Sequence, residues 1–113
     1  NEAAAMIVLS DTIHVMLLTH GFYSSFTGKP IADAHRTSQV ILCLSADSPA
    51  EVDELAEAAG KAGGRIDVGL KQEPVPLMYG RDFEDPDGHS WEVMWMDPKA
   101  AEQGASAFEP QEA

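Results

Sequence analysis

The run Asp85-Pro86-Asp87-Gly88 stands between two mainly apolar stretches, Leu77 to Glu84 and Ser90 to Met96. Proline pre-sets the backbone angle of a turn and glycine accepts conformations closed to other residues, so these four residues reverse the chain tightly and the flanks pair as an antiparallel hairpin. With the reversal centred near Asp87, Asp82 falls across from Glu92 on one side of the sheet. Alternation then puts Met78, Gly80 and Asp82 on the face of Glu92, Met94 and Met96, and turns Tyr79, Arg81, Phe83, Trp91, Val93 and Trp95 to the opposite face. A one-residue bulge in the turn would reverse the first strand's half of that assignment.

Ser48-Pro49-Ala50-Glu51 starts a helix, with Ser48 as cap, Pro49 at the first helical position and Glu51 closing a capping box. Val52, Leu55, Ala56 and Ala59 form its apolar stripe, Glu51, Asp53, Glu54 and Glu57 lie mostly on its solvent side, and Gly63-Gly64 ends it. A strand over Gln39–Ala46 precedes it, with Ile41 and Cys43 on one side. A more polar strand over Arg65–Gln72 follows, after which Pro74 and Pro76 prevent regular pairing. From Gln39 onward the order is therefore strand, helix, strand, strand, strand.

Before this unit, Ala3–Leu9 and Ile13–Thr19 flank the polar link Ser10-Asp11-Thr12 and read as a second hairpin. His14, Met16 and Leu18 share one face of its second strand and Ile13, Val15 and Leu17 the other. Both faces are mostly apolar, which calls for cover on both sides, or for cover on one and an apolar cavity on the other. His20 to Ser38 is a long connection with room for one helical turn, and its aromatics Phe22, Tyr23 and Phe26 suit packing over a site or interface. Residues 99–113 read as a mobile acidic tail beyond Pro98.

The chain carries 7 Lys plus Arg against 19 Asp plus Glu, a formal net charge of −12. Such a surface repels phosphate backbones and anionic lipid heads, which argues against nucleic acid and membrane as partners. Cys43 is the single cysteine and cannot form an internal disulfide, and no secretory leader pattern opens the sequence, so a cytoplasmic location is expected. An apolar run beginning within three residues of Asn1 reads as a truncated start.

The segment Met78 to Val93, with Asp85-Pro86-Asp87-Gly88-His89 followed by Glu92, resembles the terminal hairpin of the vicinal oxygen chelate superfamily, which groups glyoxalase I, bleomycin-resistance proteins, fosfomycin-resistance enzymes and extradiol dioxygenases. Ser45 to Asp53 resembles that family's strand-to-helix passage less specifically. The resemblance implies an α+β fold of paired βαβββ modules curling into a half-barrel. The second module spans 39–98, residues 1–19 supply the last two strands of the first, 20–38 link them, and the first strand, helix and second strand of the first module are absent. It also implies a homodimer, a common way for the family to complete its cavities.

Family enzymes hold one divalent metal through a His or similar group on the first strand of each module and a carboxylate on the last, and the ion stabilises an enolate or oxyanion on a substrate with vicinal oxygens. Carried over position by position, the second-module carboxylate is Glu92, the matching place in the first module falls on Met16, and the place on the first strand of the second module falls near Ile41. Met and Ile are unsuited to such an ion, so the site looks incomplete, with His14, close to Met16, as the alternative ligand beside Glu92. Met16, Ile41, Met78 and Met94 line the expected substrate cavity.

The facing carboxylates of Glu92 and Asp82 repel, which raises one pKa unless a cation or donor intervenes and suits the pair to acid/base catalysis on a carbon acid. Otherwise Asp82 reaches solvent and Glu92 bonds a local donor. His89 is expected to be structural in the turn, and Cys43 to be a buried inert thiol. Two functions remain open: a metal-assisted lyase, isomerase or dioxygenase-type enzyme of the glyoxalase I kind, or a metal-free protein that binds or sequesters a small molecule, as bleomycin-resistance proteins do.

Overall fold

The computed structural model describes residues 1–103, which form two compact units, Asn1–Ala32 and the chain from Asp33 onward. In the first unit, β1 (Ala4–Val8) and β2 (His14–Leu18) pair antiparallel, with Met6 opposite Met16 and Val8 opposite His14. Ser10 makes the reversal, its Oγ accepting from the N–H groups of Thr12 at 3.3 Å and Ile13 at 3.1 Å. One helical turn follows, α1 (His20–Tyr23), capped by Thr19 Oγ1, and Phe22 packs against Phe26 with ring centroids 5.1 Å apart.

The second unit is a complete βαβββ module: β3 (Ile41–Ser45), α2 (Pro49–Lys61), β4 (Arg65–Ile66), β5 (Met78–Glu84) and β6 (Ser90–Met96), followed by α3 (Lys99–Gln103). The sheet order is β3-β6-β5-β4, with β3 parallel to β6 and the other neighbours antiparallel. This is an α+β fold with two separate sheets and, among the described residues, no closed barrel. Of the residues expected to form a tail, Lys99 begins α3 and Ala100 is buried, while 104–113 lie outside the described residues.

Ser48 Oγ accepts from the Glu51 N–H at 3.1 Å and Pro49 opens α2, so the helix starts where its cap predicts. Val52 and Ala56 press on the sheet beside Val93, and all three are fully buried. Leu55, at the margin of the expected stripe, remains 38% exposed. Among the described residues no helix is long and apolar enough to cross a membrane.

One expectation needs correction. The strand expected over Arg65–Gln72 is only Arg65–Ile66, because Asp67 takes a left-handed conformation at φ 57° and turns the chain out of the ladder. The acidic helix face stays mostly in solvent, as expected, and also anchors an arginine. Asp53 and Glu57, one turn apart on α2, both bind Arg81 Nη1, at 3.2 and 3.1 Å.

Candidate functional site

The β5–β6 turn sets the geometry. Asp85 Oδ1 accepts from the N–H groups of Asp87 at 3.0 Å and His89 at 2.9 Å, and its Oδ2 accepts from Trp91 Nε1 at 2.9 Å. Gly88 sits at φ 94°, and a Cβ there would also lie 2.7 Å from the His35 backbone nitrogen, so both conformation and space demand glycine. The loop keeps the register expected from alternation, with Asp82 opposite Glu92, Gly80 opposite Met94 and Met78 opposite Met96. The His89 side chain is exposed, and it is the residue's backbone that takes part in the turn.

The two faces of this sheet have different tasks. On the α2 side, Phe83 stacks on Trp91, and Arg81, with its side chain 17% exposed, binds Asp53 and Glu57 and grips Asp67 through Nε at 3.2 Å and Nη2 at 2.8 Å. The hydrogen bond from Arg81 holds the Asp67 carboxyl below its ordinary range, and the three carboxylates raise the guanidinium's already high pKa. Tyr79 donates its hydroxyl to Asp53 at 2.6 Å, and that bond pushes the phenol upward. These residues join helix, loop and sheet.

The opposite face carries the candidate site. Register places Cys43, Glu92 and Asp82 side by side across β3, β6 and β5. Beside that row, Ser45, Met94 and Gly80 form a second one, and the Met94 sulfur occupies the space that a Cβ on Gly80 would need. Glu92, Asp82, Met78 and Met94 are half-buried, and Ile41 is 58% exposed. Ile41 pairs with Ser90, so the β3 residue next to Glu92 is Cys43. No turn links β3 to β6, and alternation therefore identified the face of Ile41 and Cys43 without identifying which of them meets the carboxylate.

Cys43 is exposed rather than buried, and local desolvation together with the nearby Glu92 charge raises its pKa, which keeps it a thiol and a poor nucleophile. The Asp82 carboxylate accepts the Gly69 N–H at 2.7 Å through Oδ2. Among the described residues the Glu92 carboxylate has no hydrogen-bond or ion-pair partner, nor are three His, Cys, Asp or Glu side chains gathered where one metal ion could take them together. A thiol and two carboxylates, one of them engaged by a backbone donor, do not make up the family's metal site. His14 and Met16 share a face of the first unit's hairpin, both exposed. The cleft at the end of that hairpin, about 260 Å³ and lined by residues 1–5 and 17–19, contains none of the candidate site residues.

This βαβββ unit with a glutamate on its last strand defines a class. The sequence model of the Glyoxalase/Bleomycin resistance protein/Dioxygenase superfamily matches residues 8–93, and the chain belongs to that superfamily. Similar solved structures include a hypothetical protein from S. aureus, with 21% identity and a TM-score of 0.66 over 83% of this chain and 70% of that one. A glyoxalase/bleomycin resistance protein/dioxygenase family enzyme from Burkholderia phytofirmans PsJN shares 17% identity, with a TM-score of 0.54 over 74% of this chain and 64% of its own. A glyoxalase/bleomycin resistance protein/dioxygenase from Nocardioides shares 20%, with a TM-score of 0.56 over 79% of this chain and 59% of its own. The chain thus spans about 59–70% of the length of these structures. No curated protein matches it significantly.

Proposed function

We propose that the open face of the β3-β6-β5 sheet receives a small molecule with vicinal oxygens and that Glu92 is the carboxylate that acts on it, as proton acceptor in a lyase- or isomerase-type step. The observation that supports this is the unequal treatment of two facing carboxylates: Asp82 is held by the Gly69 N–H, while Glu92, half-buried beside Met94, is left unpartnered among the described residues. A half-buried, unengaged carboxylate is suited to remove a proton from carbon next to a carbonyl. Cys43, kept a thiol by its raised pKa, lies beside Glu92 on that face without competing as a nucleophile.

The second reading, a metal-free binding or sequestering protein, draws on the Met side chains of the same face and on the net charge of −12, which favours a cationic ligand. In either case a homodimer would cover the exposed apolar residues of the hairpin, and the single cysteine suits a cytoplasmic setting.

Proton exchange of hydroxyacetone, a small 2-hydroxy ketone, followed by NMR in D2O with the full chain, separates the readings. Exchange that falls by about 10²-fold or more in Glu92→Gln supports the base. Exchange equal in the two proteins removes Glu92 from catalysis. Elemental analysis after incubation with nickel, cobalt, manganese, iron and zinc forms the second arm: about one ion per chain, lost in Glu92→Ala, would make Glu92 a ligand instead.

A further inference from the structure

Gly80 lies in the middle of β5 and does not take the positive φ of Gly63 and Gly88, so its backbone does not call for glycine. A glycine inside a strand loosens it and forgoes cross-strand packing, and it is of use where another group must approach closely. Here that group is Met94, which faces Gly80 across β5 and β6. The Met94 sulfur fills the place a Gly80 Cβ would take, and the Met94 methyl carbon and the Val93 carbonyl oxygen each lie 3.1 Å from that place. The thioether therefore lies across β5 instead of standing over its own strand.

The row that holds Glu92 is also built up on the β5 side. Asp82 accepts the Gly69 N–H at 2.7 Å, and the Gly69 backbone is so close that a Cβ on it would be 3.1 Å from the Asp82 carboxyl carbon. On the β3 side the neighbours of Glu92 and Met94 are Cys43 and Ser45, both short and both exposed. The open face is thus high along β5 and low along β3. Met94, on the strand between them, is its adaptable part, because an unbranched thioether side chain swings easily from one side to the other.

We infer that Gly80 and Met94 form a specificity element: with the Met94 thioether lodged in the Gly80 notch, a ligand reaches Glu92 from above Cys43 and Ser45 and is refused bulk on the β5 side. Cys43 is one strand spacing from Glu92, about 5 Å, and Ser45 lies diagonally from it at about 8 Å between Cα atoms. A ligand of a few heavy atoms fits that span, with its acidic carbon at Glu92 and an oxygen toward the Ser45 hydroxyl, which can donate to it. Gly80 is a positioning residue acting through Met94. The choice of ligand rests on the reading of Glu92 proposed above, whereas the position of Met94 does not.

The full chain with 13C-labelled methionine methyl groups tests that position directly. The Met94 methyl should give nuclear Overhauser contacts to the Gly80 Hα protons and none to the Hβ protons of Cys43 and Ser45, and the reverse pattern would overturn the notch. The native thiol supplies a second reading, the rate at which iodoacetamide alkylates Cys43. In Gly80→Ala the displaced thioether should swing over β3 and slow alkylation about threefold or more, and adding Met94→Ala should bring the rate back to within about twofold of the unsubstituted chain. An unchanged rate in Gly80→Ala, or a slowing that Met94→Ala does not relieve, would overturn the notch. The Overhauser contacts need no substitution, so they decide the matter even where Gly80→Ala unfolds. The ligand arm compares proton exchange of 2-hydroxyacetophenone with that of hydroxyacetone. Met94→Ala opens the β5 side and should raise that ratio about fivefold or more. An unchanged ratio would overturn the ligand's placement and leave Glu92 as the base. Exchange that does not depend on Glu92 would instead remove the proposed reaction, while the contacts and alkylation rates would still report on Met94.

Discussion

β1–β2 and β5–β6 are both antiparallel hairpins of largely apolar residues, with five residues a side in the first and seven in the second. In β5–β6 one face lies under α2 and Val93 is wholly buried, whereas in β1–β2 Val8 is 65% exposed and Met6, Ile7, Met16 and Leu17 are also exposed. An isolated two-stranded hairpin is marginal in water, and three or more strands or a packed helix are what stabilise one. Alternation therefore tells which residues share a face, and only the rest of the topology decides whether that face is covered.

The sharpest way to break this comparison is a matched pair of substitutions. Val93→Asp would bury an unpaired carboxylate and should cost roughly 4 kcal/mol or more, unfolding the second unit. Val8→Asp should change stability by no more than about 0.5 kcal/mol. Urea melts followed by circular dichroism measure both, and similar losses would mean that the first hairpin is covered after all.

Next in size is Asp85→Ala, which removes the acceptor of three N–H groups, Trp91 Nε1 among them, and should cost about 2 kcal/mol. The Trp91 indole signal in NMR should move with it. Arg81→Met dissolves the link between α2, β5 and the loop and should cost about 1 kcal/mol, since its carboxylate partners are more than half exposed.

The smallest effect is one of pH. Because Arg81 lowers the Asp67 pKa in the folded state, the stability from this pair is complete above the ordinary carboxylate value near 4 and is lost as pH falls through the lowered value. At so exposed a carboxylate it amounts to a few tenths of a kcal/mol. Acid melts of Arg81→Met should lack that increment. If the increment persists, Asp67 owes its shift to something other than Arg81.

Much of the second unit was legible because short-range rules govern it. A cap and a proline start α2, and the turn at Asp85 together with a side-chain period of two sets Asp82 against Glu92. The features that escaped depend on distant partners. Asp67 ends β4 early while held by a residue 14 positions away, and Asp53 and Glu57, though still largely in solvent, are tied to an arginine 28 and 24 positions away. Cys43 was missed beside Glu92 because a parallel pairing has no turn to declare its register. The pairing of Asp82 with a backbone amide likewise needed a loop whose path the sequence does not announce.

Asp85 has one last consequence. Its oxygens are already committed to two amides and an indole, so the most recognisable part of the motif contributes spacing rather than reactivity. It acts as a ruler: the reversal it enforces fixes the number of residues to Glu92, and with it the side of the sheet to which the glutamate points. One residue inserted between His89 and Glu92 would rotate the carboxylate toward α2, where Val93 now lies, while every letter of the motif stayed in place. In such a hairpin the count of residues matters as much to the chemistry as their identity.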